Sequence, residues 1–505
     1  MKFLNGISPA SCLLALLIAS CSFTPALVIP EHRNFAEGMH SHAIVPETST
    51  TKSEMLACVS DQLSALATFE DVPQLKHLLE SARAHNLDLQ AAELRIQESQ
   101  ASRDKAWSEL LPTLGLQVSE LRADNRGQFN NLPPQIHDAL SPYLKSTTST
   151  TYSSRLGITG YEVDLWGRMR NLAHSADASL AAKIKYKELS LVEVNAEVMI
   201  AYYELLYANS LRNTLLKKIS LASLINSKLA ALRHYGRLSQ IELKQSQLDA
   251  SRYEINVRTV DQQIHTLYGR LFLLTGDDQL LRQHDMVFPQ ESGIADAAAI
   301  DQPSYVIDAN AVLLRPDVQI AELNIIQANG RVGAARAAFF PMLTLDMTAG
   351  RDSNHFSDIF SLSGSGWSFS PTLLTTIFDF GKKNANLNVA KSQASSSLIE
   401  YRKTLDKAYQ DLQAAIDNLE LSRIGIKQSL NQQVLFSEVQ SVIKSTRQAG
   451  LLSELERLRL ELFLITFELD AIEARRALAL SKVILYKALG GRYVGSCAST
   501  NSPQT

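Results

Sequence analysis

Residues Arg168 to Tyr235 read RMRNLAHSADASLAAKIKYKELSLVEVNAEVMIAYYELLYANSLRNTLLKKISLASLINSKLAALRHY, a run with neither Gly nor Pro. Those two residues are the ones that most reliably end a helix. At a rise of ~1.5 Å per residue the run predicts roughly 100 Å of unbroken helix, several times an ordinary globular helix. Ile184, Leu191, Val198 and Leu205 recur every seventh residue, the spacing of a seam that packs on other long helices in coiled-coil fashion. A helix so long and so polar on its outer faces cannot fold back into a compact core, and the expectation is a stave in something elongated.

The stretch is one half of a repeat. The seam returns as Leu398, Leu405, Leu412 and Leu419, and Gly167, Gly236 and Gly276 return as Gly381, Gly450 and Gly490, all at a constant offset of 214. Upstream, Asp88-Leu-Gln-Ala-Ala-Glu93-Leu94 is answered by Asp317-Val-Gln-Ile-Ala-Glu322-Leu323, and Pro112 by Pro341, at an offset of 229. The change of offset places the difference in length between Pro112 and Gly167, in a loop free to vary. The chain is a tandem duplication of one helix–hairpin–helix–helix unit.

Around this frame, 49 basic and 52 acidic residues give a net charge of −3. No basic surplus or cluster of the kind nucleic-acid binders carry is present. The apolar run Leu13-Leu-Ala-Leu-Leu-Ile-Ala19 is too short to span a bilayer and suits the core of an export signal. No other segment offers eighteen consecutive apolar residues. Residues Ser22 to about Ala67 read as a polar tether, and Glu31, His32, His40 and His42 within it match no metal-ligand spacing. From Pro73 a helical period runs through Leu75, Leu78, Leu79, Ala82, Leu89, Ala92 and Ile96 to Leu111, where Pro112 stops it.

Beyond Pro112 the period becomes two. Leu114, Leu116 and Val118 alternate with Gly115, Gln117 and Ser119, and a strand carrying Leu156 and Ile158 returns after a loop from Asp124 to Ser146. Leu343, Leu345 and Met347, then Trp367, Phe369 and Leu373, repeat the pattern in the second copy. Such alternation suits a membrane β-barrel wall or a soluble hairpin equally. Four strands fall short of the eight that close the smallest barrels, and open edges are not tolerated in lipid. Strands that span a membrane here require several chains to share one barrel. The return helices carry a matched seam of Ile241, Leu248 and Ile255 in one copy and Leu455, Leu462 and Leu469 in the other. No G-x-S-x-G elbow, H-E-x-x-H helix or C-x-x-C pair is present, and nothing points to catalysis, a metal or a cofactor.

Several ordered motifs carry a family resemblance. They are Phe69-Glu-Asp-Val-Pro-Gln-Leu75, Asn86-Leu-Asp-Leu-Gln90, Tyr161-Glu-Val-Asp-Leu-Trp-Gly-Arg168, Arg315-Pro-Asp-Val318 and Phe378-Asp-Phe-Gly-Lys382, with the helix turns Arg233-His-Tyr-Gly236-Arg-Leu-Ser239 and Arg447-Gln-Ala-Gly450-Leu-Leu-Ser453. With Ile18-Ala-Ser-Cys21, which resembles a lipobox, the chain resembles the TolC-like outer-membrane factors, in their efflux lipoprotein (NodT-like) branch. It departs from that pattern where Asp379-Phe-Gly-Lys382 replaces Asp-Gly-Gly-Arg, and in its ending Gly490-Gly-Arg-Tyr493.

The resemblance implies a mainly α protomer with a membrane β-barrel portion. Its tandem long helices form a periplasmic α-barrel, and its four strands join those of two more copies in a trimeric 12-stranded outer-membrane barrel. It implies lipidation of Cys21, a homotrimer in contact with outer-membrane lipid, a periplasmic adaptor and an inner-membrane pump as partners, and no nucleic acid. The helix turns at Gly236, Ser239, Gly450 and Ser453 are the expected adaptor contacts. Glu456, with Arg459, Leu452, Leu455 and Glu242, is the expected periplasmic gate, Arg459 pairing with Glu456 across subunits. Trp166, Gly167, Arg168, Phe380, Gly381 and Lys382 form the barrel-to-helix junctions. The expected divisions are a signal over 1–20, a linker over 21–72, a first helix over 73–111, a hairpin over 112–166 and a helix pair over 167–276. A linker over 277–304 precedes the second copy, with divisions at 305–340, 341–380 and 381–490, and a tail over 491–505. An efflux duct is the leading reading, against a protein-secretion duct of the same build and a non-conducting coiled-coil tether.

Cys58 and Cys497 near the two ends of the mature chain either form a disulfide in the oxidising exported setting or stay separate thiols. Thiol titration of the denatured, unreduced mature protein decides: pairing leaves both unreactive, and recovery of both thiols ends the idea.

Overall fold

The computed structural model describes residues 72–124, 133, 136, 148–236, 239–277, 309–360 and 365–491. The export signal with Cys21, the tether and its histidines, Cys58, Cys497, most of the 124–146 loop, the linker between copies and the tail lie outside the described residues. The helices are α1 (Pro73–His85), α2 (Leu87–Ser108), α3 (Arg168–His234), α4 (Gln240–Thr275), α5 (Pro316–Ala337), α6 (Lys382–Gln448) and α7 (Glu454–Ala488). The strands are β1 (Leu114–Asp124), β2 (Thr148–Val163), β3 (Met342–Ser353) and β4 (Gly366–Leu374). Helices α3 and α6 are each 67 residues long. Among the described residues no helix is long and apolar enough to cross a membrane.

Three features differ from the sequence reading. The first helix is broken at Asn86, whose backbone is extended at φ −63°, ψ 128°, while its Oδ1 accepts the amides of Asp88 and Leu89 at 2.9 and 3.2 Å. An Asn N-cap thus starts α2 inside an apolar stripe that runs on across the break. In the seam of α3, Val198 and Leu205 are fully buried but Ile184 is exposed. On α6 the matching Leu405, Leu412 and Leu419 stay buried over two heptads. On the return helices Ile241, Leu248 and Ile255 are all exposed in the chain, whereas Leu455 and Leu462 are half-buried against other apolar side chains.

The chain divides into two compact units. The first holds residues 97–181 and 323–399, with the four-stranded sheet in the order β1-β2-β3-β4, every pair antiparallel. Cross-strand register sorts the faces. Leu114 lies opposite Ile158, Leu116 opposite Leu156, and Met347 opposite both Ile158 and Phe369, so one apolar face crosses all four strands. The other face joins Ser119 to Ser153 at 2.6 Å and Thr348 to Ser368 at 2.7 Å through hydroxyls, with Arg155 paired to Asp352 at 2.9 Å. This is the two-faced pattern of a barrel wall. A bulge at Thr159–Gly160 interrupts the β2–β3 ladder, and the Gly160 amide donates to Asp346 at 2.7 Å. Among the described residues no strand pairs with the outer edges of β1 and β4. In the same unit α5 approaches the start of α3 closely: a Cβ on Gly330 would sit 2.9 Å from the Asn171 carbonyl oxygen.

The second unit holds residues 72–96, 182–322 and 400–491 among those described. Its core gathers Leu75, Leu78 and Leu79 of α1, Tyr202 and Leu205 of α3, Leu271 of α4 and Val483 and Tyr486 of α7. Two matched polar staples close the returning helices. Asn86 donates from Nδ2 to the carbonyl of Leu274 at 3.0 Å. Arg315, the counterpart of Asn86 in the second copy, donates to the carbonyl of Ala488, the counterpart of Leu274, at 3.1 Å. Arg315 is only 8% exposed and also binds Asp317 through two hydrogen bonds and Asp411 at 3.3 Å. Both staples satisfy a last-turn helical carbonyl that has no partner within its own helix.

Hydrogen bonds that involve a charged group contribute about 1.5–3 kcal/mol each and Arg315 makes several, against about 1 kcal/mol for a lost helix cap. Arg315→Ala is therefore expected to lower the thermal midpoint of the detergent-solubilised protein, followed by circular dichroism, several-fold more than Asn86→Ala. Arg315→Lys is expected to rescue little, because an ammonium cannot reproduce the guanidinium fork.

Candidate functional site

The turns between α3 and α4 and between α6 and α7 lie in the second unit. Each long helix ends on a glycine in the left-handed region, Gly236 at φ +70° and Gly450 at φ +69°. A Cβ at either position would meet nothing within 4 Å, so it is the backbone conformation that favours glycine there. The amide of Gly450 donates to Arg447 at 3.0 Å and that of Leu451 to Thr446 at 3.1 Å, the paired bonds of a Schellman ending.

The next helices start alike and then diverge. Ser453 caps α7, its Oγ accepting from the Glu456 amide at 3.2 Å, while Glu456 Oε2 accepts from the Ser453 amide at 3.0 Å and its hydroxyl at 2.7 Å. The Ser-x-x-Glu spacing that announces this capping box stands in the sequence. Ser239-Gln-Ile-Glu242 has the same spacing, yet the Ser239 oxygen accepts from Ile241 instead, at 3.2 Å. Glu242 is turned away from its cap and forms an ion pair with Arg459 on α7. Within the chain, then, Arg459 is bonded to Glu242 and not to Glu456, which is occupied by the cap. The counterpart of Arg459 in the first copy is Gln245, so that copy has no equivalent cation.

Below the charges lies a small apolar cluster of Ile225, Leu229, Leu243 and Leu458, with Leu455 half-buried against it. Leu452 is half-buried and Leu451 exposed. Sequence reasoning missed Arg457, whose side chain is 15% exposed and is held between Glu454, at 2.6 Å, and Glu461. Its i−3 and i+4 carboxylates were the available sign. The Ser453 hydroxyl and amide hold the Glu456 carboxyl below its usual range, with Arg459 adding to the effect. The Arg457 guanidinium does the same to Glu454.

The first unit contains the two junctions between sheet and long helix. Asp164 caps α3, accepting from the amides of Met169 and Arg170 at 3.1 and 2.9 Å. Asp379 caps α6, accepting from Gly381 and Lys383 at 3.0 and 2.9 Å. Arg168 pairs with Glu162. Trp166 stacks on Phe340 with ring centroids 4.8 Å apart, whereas Phe380 is exposed, beside Phe378 at 4.5 Å. Phe380 has φ +55°, and among the described residues no other non-glycine has positive φ. Gly167 and Gly381 follow them at +76° and +86°.

A carboxyl whose pKa is depressed by folding contributes stability above its unfolded pKa, and that contribution is lost as pH falls through the folded value. Amide protection at Glu456, corrected for intrinsic exchange, is expected to decline from about pH 5 to about pH 3 and to show no such decline in Glu456→Gln. An equal decline in both proteins would separate the cap from the carboxylate.

The family model described as "Outer membrane efflux protein" matches residues 78–276 and 309–491. The solvent efflux pump outer membrane protein SrpC of Pseudomonas putida is 27% identical over 489 residues, covering 94% of this chain and 96% of SrpC. Outer membrane protein OprJ of Pseudomonas aeruginosa is 26% identical over 488 residues, covering 95% and 94%. The crystal structure of the Campylobacter jejuni CmeC outer membrane channel shares the fold with a TM-score of 0.76 at 21% identity, over 93% of this chain and 95% of CmeC. The chain belongs to the outer membrane efflux protein family.

Proposed function

We propose that the chain is the passive, non-catalytic exit duct of a three-part efflux system, in which three copies close one twelve-stranded barrel. The observation that carries this is the pair of unpaired edges, β1 and β4, on a sheet with one continuous apolar face. Hydrocarbon tolerates no open edge, and identical copies supply the missing strand to each side. Exposed apolar residues on the long helices, Ile241, Leu248 and Ile255 on α4 and Val434, Leu435 and Val442 on α6, give neighbouring copies apolar surface to cover. Cys21 adds a lipid anchor, and the turns at Gly236, Ser239, Gly450 and Ser453 dock a periplasmic adaptor fed by an inner-membrane pump. The cargo class is small apolar molecules, in keeping with the solvent efflux of the system for which SrpC is named.

At the turns, the Glu242–Arg459 pair ties α4 to α7 and favours the narrow state, with Leu452 and Leu455 as apolar lining. Three copies of Glu456 make an acidic ring that favours cations, a recognised device for pore selectivity. Exposed ion pairs contribute at most about 1 kcal/mol each, which suits a latch that an adaptor has to release.

Single-channel recording of purified protein in a planar bilayer separates the roles. Wild type is expected to give small, cation-preferring steps, and Glu242→Ala with Arg459→Ala larger ones. Glu456→Gln is expected to weaken cation preference with little change in step size. Unaltered conductance in the double variant would remove the latch, and silence of a demonstrably inserted wild type would remove the duct.

A further inference from the structure

We propose that Phe380 seats one copy of the chain on the next by packing on the Leu111–Pro112 corner of a second copy, at the head of a β4–β1 ladder whose register the repeat itself prescribes. The proposal rests on the shared-barrel reading and specifies its seam.

The first copy of the repeat contains the template. Strand β2 leaves the sheet at Trp166, whose indole stacks on Phe340 and donates from Nε1 to the Pro341 carbonyl at 2.7 Å. Phe340 and Pro341 lead into β3, the strand beside β2. Trp166 corresponds to Phe380 at the offset of 214, and Phe340 and Pro341 correspond to Leu111 and Pro112 at the offset of 229. The equivalent contact would join the exit of β4 to the start of β1, but these are the two outer strands of the sheet and do not meet within the chain. Both halves of the contact stand open: Phe380 is 90% exposed and Leu111 67%. Phe380 also holds a left-handed backbone that a bulky residue adopts only at a cost, the kind of local strain that persists where surrounding contacts compensate it.

The register follows by the same translation. In the chain Val163 lies opposite Leu343, Tyr161 opposite Leu345 and Ile158 opposite Met347. Moved by the repeat offsets, Ile377 and Thr375, which follow the end of β4 at Leu374, fall opposite Leu114 and Leu116 of the second copy, so the ladder extends β4 by three residues on assembly. The two hairpins align Ile158 with Leu373, since Leu114 pairs with Ile158 and its equivalent Leu343 pairs with Leu373. Leu373 therefore falls opposite Val118. Strand β4 lacks the extra residue of the β2 bulge, and the translated ladder runs two residues against two without a slip. It also joins the apolar face of β4 to the apolar face of β1. A shift by one residue would set that face against the polar one.

The test uses the full chain in outer membranes, with Cys58 and Cys497 changed to Ser and Cys21 kept. Leu116→Cys with Thr375→Cys is expected to give oxidised dimers and trimers on a non-reducing denaturing gel, at several times the yield of Leu116→Cys with Thr376→Cys. Equal or reversed yields overturn the register. No cross-link in a protein that light scattering shows to be trimeric also overturns the register while leaving the shared barrel standing, whereas a purely monomeric protein overturns both. Phe380→Gly relieves the backbone and removes the ring. The expected result is a trimer that dissociates on heating in detergent at a lower temperature than wild type or Phe380→Trp. A Phe380→Gly trimer as heat-resistant as wild type would overturn the seat.

Discussion

A peptide group in hydrocarbon has no water to bond, and its N–H and C=O must find partners within protein. That requirement governs a chain whose sheet has four strands, one continuous apolar face and two unpaired edges. In water the edges would be an aggregation hazard to be blunted by charge or twist. In a membrane they are an instruction to assemble, and closing the sheet through further copies satisfies the edges without lengthening the chain. The long helices follow from the same economy. Each strand pair hands over to a 67-residue helix at an Asp cap and a left-handed Gly, so the change of direction is set by local bonds.

Duplication lets one chain meet each structural demand twice, yet the two copies often do so with different chemistry. The last-turn carbonyl of α4 is bound by an Asn amide and that of α7 by a buried guanidinium. Burying Arg315 is costly, and it is tolerated because Asp317, Asp411 and two backbone carbonyls surround it. At the opposite ends of the same helices, one Ser-x-x-Glu closes its own cap and the other sends its carboxylate across to Arg459. Such differences turn a symmetric frame into a site with direction: Glu242 of α4 is tied to Arg459 of α7, whereas their repeat counterparts, Glu456 and Gln245, offer a carboxylate and no cation.

Much of the site was present in the sequence as residue types and little of it as pairings. The family resemblance singles out Glu242, Glu456 and Arg459, but their spacing does not say which carboxylate the arginine takes. The Ser453–Glu456 spacing was itself the clue that Glu456 was engaged locally. The break at Asn86 escaped notice because the apolar stripe continues through it, and a period reports faces, not caps. Arg457 looks in the sequence like any other helical charge with an acidic neighbour one turn away.

The sequence by itself determined the elements and their order. Absence of Gly and Pro, the change of period after Pro112 and Pro341, and the glycines at the turns are local constraints, and the duplication is visible as arithmetic. Tertiary structure alone decided which strands are neighbours, where the sheet stays open, which seam residues remain exposed and which charges meet. Those outcomes depend on contacts between residues far apart along the chain. A seam residue is buried only where another helix covers it, and a side chain with several partners of equal chemistry takes the one that the packing brings within reach.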